Sequence, residues 1–134
     1  MIVDANVVVY WAVPGTHVER AAAIMERDDL AAPGIVMAEA ANALLKHARA
    51  GTISPAQVAP MISMIREAID TPAFDADLVP DALAIALARN HRIYDCLYLA
   101  LAMQRREPLA TADRKLAALA RELSIETELI EPAL

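Results

Sequence analysis

Apolar residues in this chain recur mostly at helical spacing. In PAQVAPMISMIREAID, Val58, Met61, Ile62, Ile65 and Ile69 follow the i, i+3, i+4, i+7 rule of a helix with one face turned inward. Ser54, Pro55 and Gln57 precede that stripe as an N-cap, a first-turn proline and the glutamine of a capping box, and Pro60 interrupts it. In RKLAALAREL, Leu116, Leu119, Ala120 and Leu123 share one face. HVERAAAIMERDD repeats Glu19 and Arg20 at Glu26 and Arg27, which marks the solvated face of a further helix. DCLYLALAM is apolar all round and predicts a helix buried on every side. LVPDALAIALARN is nearly as apolar, with Pro80 expected in a first turn that tolerates it.

The gaps hold short strand candidates: MIVD at the start, LAA at 30–32, TPAF at 71–74, PLAT at 108–111 and TELIE at 127–131. The β-branched run Val7 to Val9 would by itself extend the first strand. Short strands alternating with helices predict an α/β fold, a three-layer α/β/α sandwich with a short, mainly parallel central sheet. Such sheets place their sites beyond the C-terminal ends of the strands.

Composition narrows the picture. The 134 residues, 57% of them apolar, suffice to bury a core, and with no repeat or linker they predict one domain over 1–134. The longest charge-free apolar run, Ala5 to Thr16, is broken by Pro14 and Gly15 and falls short of the ~18–20 residues that span a bilayer. No basic segment precedes an apolar stretch, so neither a membrane span nor a secretory signal is expected. The single cysteine, Cys96, cannot form an internal disulfide; it fits a reducing cytoplasm and the role of a small buried hydrophobe. A net charge of −6 argues against a generic nucleic-acid binder, whose affinity would come from a broad basic surface.

Four acidic residues stand out of place or end a candidate strand: Asp4, Glu39, Asp95 and Asp113. Taken singly, Asp95 and Asp113 lie where helix-capping carboxylates belong. Glu39 shares a helical face with Asn42 and Lys46, as a solvated glutamate does. Asp4 lies in an apolar run with no local cap to make and no lysine or arginine before Arg20. Strand ends and the adjoining helix starts of a parallel sheet converge on one edge. Carboxylates gathered there repel, by ~4 kcal/mol per pair at ~4 Å and an effective dielectric of ~20. Protonation or bound cations relieve that repulsion. Oxygen-only ligands suit Mg²⁺ or Mn²⁺, whereas three histidines and one cysteine give zinc little support.

At these residues the chain resembles the PIN-domain ribonucleases, specifically the VapC-like toxins of toxin–antitoxin modules. IVDANVVVYW resembles the family's opening strand, its aspartate and the helix that follows; MAEAANAL, IYDCLYLALA and LATADRKL resemble its second, third and fourth acidic segments. Order, spacing and length fit over essentially the whole chain. The resemblance implies that Asp4, Glu39, Asp95 and Asp113 are catalytic residues holding Mg²⁺ (or Mn²⁺), with a helix from about Ala5 in place of a longer first strand. Many relatives carry serine or threonine where this chain has Asn6; Asn6 and Thr111 are secondary candidates that support the site. The function implied is a Mg²⁺-dependent endoribonuclease toxin of the cytoplasm. Its implied partners are RNA, a cognate antitoxin packed near the helices after strands one and two, and a second copy in a homodimer. Lys46, Arg49, Arg114 and Lys115 lie near the carboxylates in sequence and are candidates for the RNA backbone.

Three other readings fit the residues less well. A haloacid-dehalogenase-like phosphatase needs a second aspartate where Asn6 stands. A receiver-like signalling domain would press Asp75 and Lys115 into its roles, but leaves YDCLYLALA without a place. A PIN-fold antitoxin-binding protein without catalysis is disfavoured by the complete acidic set.

Overall fold

The computed structural model describes residues 1–13, 19–69 and 72–131. A two-residue strand, β1 (Ile2–Val3), opens the chain and passes at Asp4 into α1 (Ala5–Tyr10). Then follow α2 (Glu19–Met25), α3 (Ile35–Arg49), α4 (Pro55–Ala68), α5 (Asp75–Arg89) and α6 (Ile93–Arg105). The chain returns to the sheet with β2 (Leu109–Thr111), crosses through α7 (Arg114–Glu122) and ends in β3 (Thr127–Leu129). The strands lie in the order β1-β2-β3, all parallel, with Ile2 opposite Leu109 and Leu109 opposite Thr127. Isolated parallel bridges, Ile2 to Ala31 and Pro33 to Ala73, continue the sheet beyond β1. The fold is the α/β sandwich expected. The candidates at 30–32 and 71–74 contribute bridges and not ladders, and residue 71 lies outside the described residues.

With strands this short, helices supply most of the core. Leu109, Ala110 and Thr111 are all buried, as a central parallel strand covered on both faces requires. α6 packs on β1 and β2, and α7 on β2 and β3. α6 is buried without interruption from Asp95 to Ala102, and only Met103 of the predicted apolar stretch is exposed. Cys96 is fully buried within it, and burial pushes its thiol up to about 11, so it acts as a hydrophobe.

α1 begins at Ala5, although ANVVVY is a poor helix-forming stretch. Val7 and Val8 are fully buried there, so packing overrides local preference. α4 begins as expected: Pro55 is its first residue and Gln57 Oε1 accepts the Ser54 N–H at 2.8 Å. The expectation for Pro80 is corrected. Asp75 and Asp77 occupy the true first turn of α5, so Pro80 falls inside the helix. α5 buries Leu78 and Ala82 but exposes Val79, Leu83 and Leu87. In α2 the solvated Glu19 and Arg20 match the expected polar face, while residues 17 and 18 lie outside the described residues. No described helix is long and apolar enough to cross a membrane.

Candidate active site at the C-terminal edge of the sheet

Parallel register brings the ends of β1 and β2 to one edge, where the Asp4 N–H donates to the Ala110 carbonyl at 3.0 Å. Asp4 is extended and forms the N-cap of α1, its Oδ1 accepting the Ala5 N–H at 2.7 Å. It therefore does have a local cap to make, contrary to the sequence expectation, which read Val7 to Val9 as strand when considered alone. Its other oxygen, Oδ2, accepts the hydroxyl of Thr111 at 2.7 Å. Asp4 is 6% exposed. Burial raises its carboxyl from 3.8 to about 6, a rise opposed by the Thr111 hydroxyl and reinforced by the charges of Glu39 and Asp95.

Thr111 ends β2 and is fully buried. Besides donating to Asp4, it accepts the Asp113 N–H at 3.0 Å. The Asn6 amide lies at 3.5 Å from the same hydroxyl, and Asn6 Oδ1 accepts the Ala112 N–H at 3.0 Å. Thr111 and Asn6 thus tie the β1–α1 corner to the β2–α7 corner. Asp113 is the N-cap of α7, its Oδ1 accepting from Lys115 and Leu116 at 2.8 and 3.2 Å. Its expected capping role is present.

The capping role of Asp95 is not. α6 starts at Ile93, so Asp95 is its third residue. Its Oδ2 instead meets His91 Nε2 at 2.9 Å and the Arg92 guanidinium at 3.2 Å. Glu39 projects from the second turn of α3, half-buried, and its Oε1 accepts the hydroxyl of Tyr98 at 2.8 Å. Burial raises the Glu39 carboxyl; the Tyr98 bond opposes this and the Asp95 charge adds to it. Tyr98 is itself fully buried, and burial together with Asp4 and Glu39 raises its phenol well above the ordinary range, so it remains a donor.

Tyr98, His91 and Arg92 are the site residues that sequence reasoning missed. Tyr98 carried a signal, since a buried phenol in an aliphatic helix needs a polar partner. His91 and Arg92 carried another, at i−4 and i−3 from Asp95.

The four carboxylates line one cavity of about 290 Å³ together with Asn6, Arg92 and an apolar wall of Ala5, Val9 and Ala43. Their donor set, carboxylate oxygens with a neighbouring amide, has the chemistry of a hard divalent cation site. One oxygen each on Glu39 (Oε2), Asp95 (Oδ1) and Asp113 (Oδ2) meets no protein donor among the described residues. Yet among the described residues no three His, Cys, Asp or Glu side chains are grouped so as to hold one ion as they stand. The carboxylates share a cavity without closing into a cage, and Asp95 Oδ2 is engaged by His91 and Arg92. Of the basic candidates, Arg114 is paired with Glu131 at 3.0 Å and Lys115 stands by Asp113. Lys46 and Arg49 lie in the last turns of α3, ~10 and ~15 Å along its axis from Glu39.

The PIN-domain family profile matches residues 1–122. Ribonuclease VapC3 from Pyrobaculum aerophilum is 32% identical over 121 residues, a match covering 87% of this chain and 92% of that protein. A crystal structure of PAE2754 from Pyrobaculum aerophilum is similar at a TM-score of 0.71 and 25% identity, covering 88% of this chain and 82% of the other.

Proposed function

This chain belongs to the PIN-domain family, and we propose that it is a VapC-like endoribonuclease toxin that hydrolyses RNA phosphodiester bonds with Mg²⁺ or Mn²⁺ held by Asp4, Glu39, Asp95 and Asp113. The observation that carries the reading is the convergence of these carboxylates, from four separate segments, on one cavity at the sheet edge. The raised carboxyl of Asp4 supports it, since a buried acid facing two others is stabilised by a cation. The name of the 32% identical relative supports a ribonuclease of a toxin–antitoxin module. With the reading go a cognate antitoxin, a homodimer, a cytoplasmic location and a single nuclease domain over 1–134.

A bound hard cation lowers the pKa of a water and offsets charge on the phosphoryl group. The chain's own part is positioning. Thr111 holds Asp4 Oδ2 and, through the Asp113 N–H, fixes the second corner of the site. Tyr98 holds Glu39 Oε1 and leaves Oε2 for the cavity. Asp4 would hold a cation as the carboxylate, so an ion would displace the proton that burial favours there. Arg92, on the cavity wall, faces the negative charge of the phosphodiester.

Purified protein free of antitoxin should cut a mixed RNA pool in Mg²⁺ or Mn²⁺ and leave it intact in EDTA. Intact RNA with both ions would sink this proposal. Among the described residues no three side chains are placed to hold one ion, which favours a second reading, a PIN-fold protein that acts only by binding its partner. Intact RNA under both ions, from protein that still binds its antitoxin, selects that reading.

A further inference from the structure

A second cavity, of about 530 Å³, adjoins the carboxylate cavity and shares Arg92, Asp95 and Asp113 with it; Asn90, His91 and Lys115 complete its wall. Lys46, Arg49, Arg66, Arg105, Arg106 and Arg121, like Lys115, make no ion pair among the described residues, so this wall is set apart by its place beside the carboxylates. Arg20, Arg27, Arg89 and Arg114 are each paired with a carboxylate: Glu128, Asp29, Glu122 and Glu131. Lys115 has no acidic partner within ion-pair distance among the described residues. Arg92 touches Asp95 through one nitrogen only, and its side chain is 75% exposed, so most of its N–H groups are open to a ligand. His91, 19% exposed, meets Asp95 Oδ2 at 2.9 Å on the same wall. On a chain of net charge −6, RNA gains little from the general surface and most from cations exposed beside the site.

We propose that this second cavity is the subsite for a backbone phosphate of single-stranded RNA next to the phosphate being cut, with Arg92 and Lys115 as its charge partners. The inference rests on the ribonuclease reading. Arg92 stands on the shared wall, so a strand with one phosphate at the carboxylates carries a neighbouring phosphate past the same guanidinium into the second cavity. Neither cation needs a metal, so this contact operates without one.

The test is the binding of a short fluorescent single-stranded RNA in EDTA, followed by anisotropy between about 50 and 200 mM salt. Each phosphate contact on a single strand contributes about 0.7 to the slope of log K against log salt. Lys115→Gln should lower the slope by about 0.7, and Arg92→Gln should weaken binding and lower the slope as well. Arg66→Gln, on α4 and away from both cavities, should leave it unchanged. Melting temperatures near the parent's show that the variants fold. Unchanged slopes in Lys115→Gln and Arg92→Gln, or a parent that binds no RNA, would overturn the subsite. Cleavage with Mg²⁺, assayed on the same preparations, separates the two claims. A parent that binds with the Lys115-dependent slope but never cuts loses the nuclease reading and keeps the subsite. A parent that cuts with a slope indifferent to Lys115 keeps the reading and loses the subsite.

Discussion

Replacing Asp4 by asparagine tests the central electrostatic feature of the site. Burial raises this carboxyl from 3.8 to about 6, so the folded protein holds a proton there that the unfolded chain has already released. The sign follows from linkage. Between pH 3.8 and about 6 the native state binds more protons, so the stability associated with Asp4 is fully present below 3.8 and is lost as the pH rises through about 6. At ~1.36 kcal/mol per tenfold change in proton affinity, the rise from 3.8 to about 6 amounts to ~3 kcal/mol. Asp4→Asn has no proton to lose. Its stability relative to the parent, measured in EDTA, should therefore climb by about 2.5 kcal/mol from about pH 4 to pH 8. Asparagine disturbs the Thr111 hydroxyl bond, at a cost of ~1 kcal/mol, but that cost is much the same at both ends of the range and drops out of the difference. At pH 8 the net gain is ~2 kcal/mol, some 5–8 °C in melting temperature for a chain of this size. The same variant should lose RNA cleavage, because the amide lacks the charge that holds a hard cation. Denaturant or thermal melts at several pH values give the stability difference. A difference between variant and parent that stays flat across the range refutes the argument that burial and neighbouring carboxylates strain Asp4.

Mg²⁺ or Mn²⁺ should raise the melting temperature, by ~2.7 kcal/mol of stabilisation at a hundredfold excess over Kd, and more at pH 8 than at pH 5, where Asp4 must first release a proton. A melt indifferent to millimolar ion at pH 8 counts against the site. Asp95→Asn should cut RNA at least ~100-fold more slowly yet shift stability in EDTA by no more than ~1 kcal/mol, because the amide oxygen can still accept a hydrogen bond from His91 or Arg92 and one like-charge repulsion is removed; parental cleavage would remove Asp95 from the ligand set. Tyr98→Phe removes the only side-chain donor to Glu39 among the described residues and should cost ~1–2 kcal/mol in denaturant melts at neutral pH, with a higher Mg²⁺ concentration needed for half-maximal cleavage. An unchanged Mg²⁺ requirement would mean that the phenol serves the core alone.

The helices were legible because their periodicity is local. The stripes of α4 and α7 and the all-round burial of α6 could be read from spacing alone. The sheet was harder, since two- and three-residue strands show no alternation and their pairing joins residues over a hundred positions apart, as Ile2 joins Leu109. α1 shows the opposite conflict: Val7 to Val9 favour strand locally, and only the core that buries Val7 and Val8 decides for helix. The carboxylates themselves were legible as residues at segment ends. Their partners were set by packing, as with Tyr98, which reaches Glu39 across 59 positions of sequence.

Arg114 and Lys115 show why proximity in sequence misjudges a site while facing direction decides it. Both adjoin Asp113, and sequence distance alone made them equivalent RNA contacts. Successive residues on a helix point ~100° apart, so one turn of α7 sends them different ways. Arg114 turns to Glu131 and is neutralised there, whereas Lys115 opens on the cavity beside Asp113. Arg92 belonged to no motif, yet three residues before Asp95 it stands on the wall between the two cavities. On the proposed reading, Lys115 and the exposed guanidinium of Arg92 are the cations that a polyanion would meet beside the carboxylates.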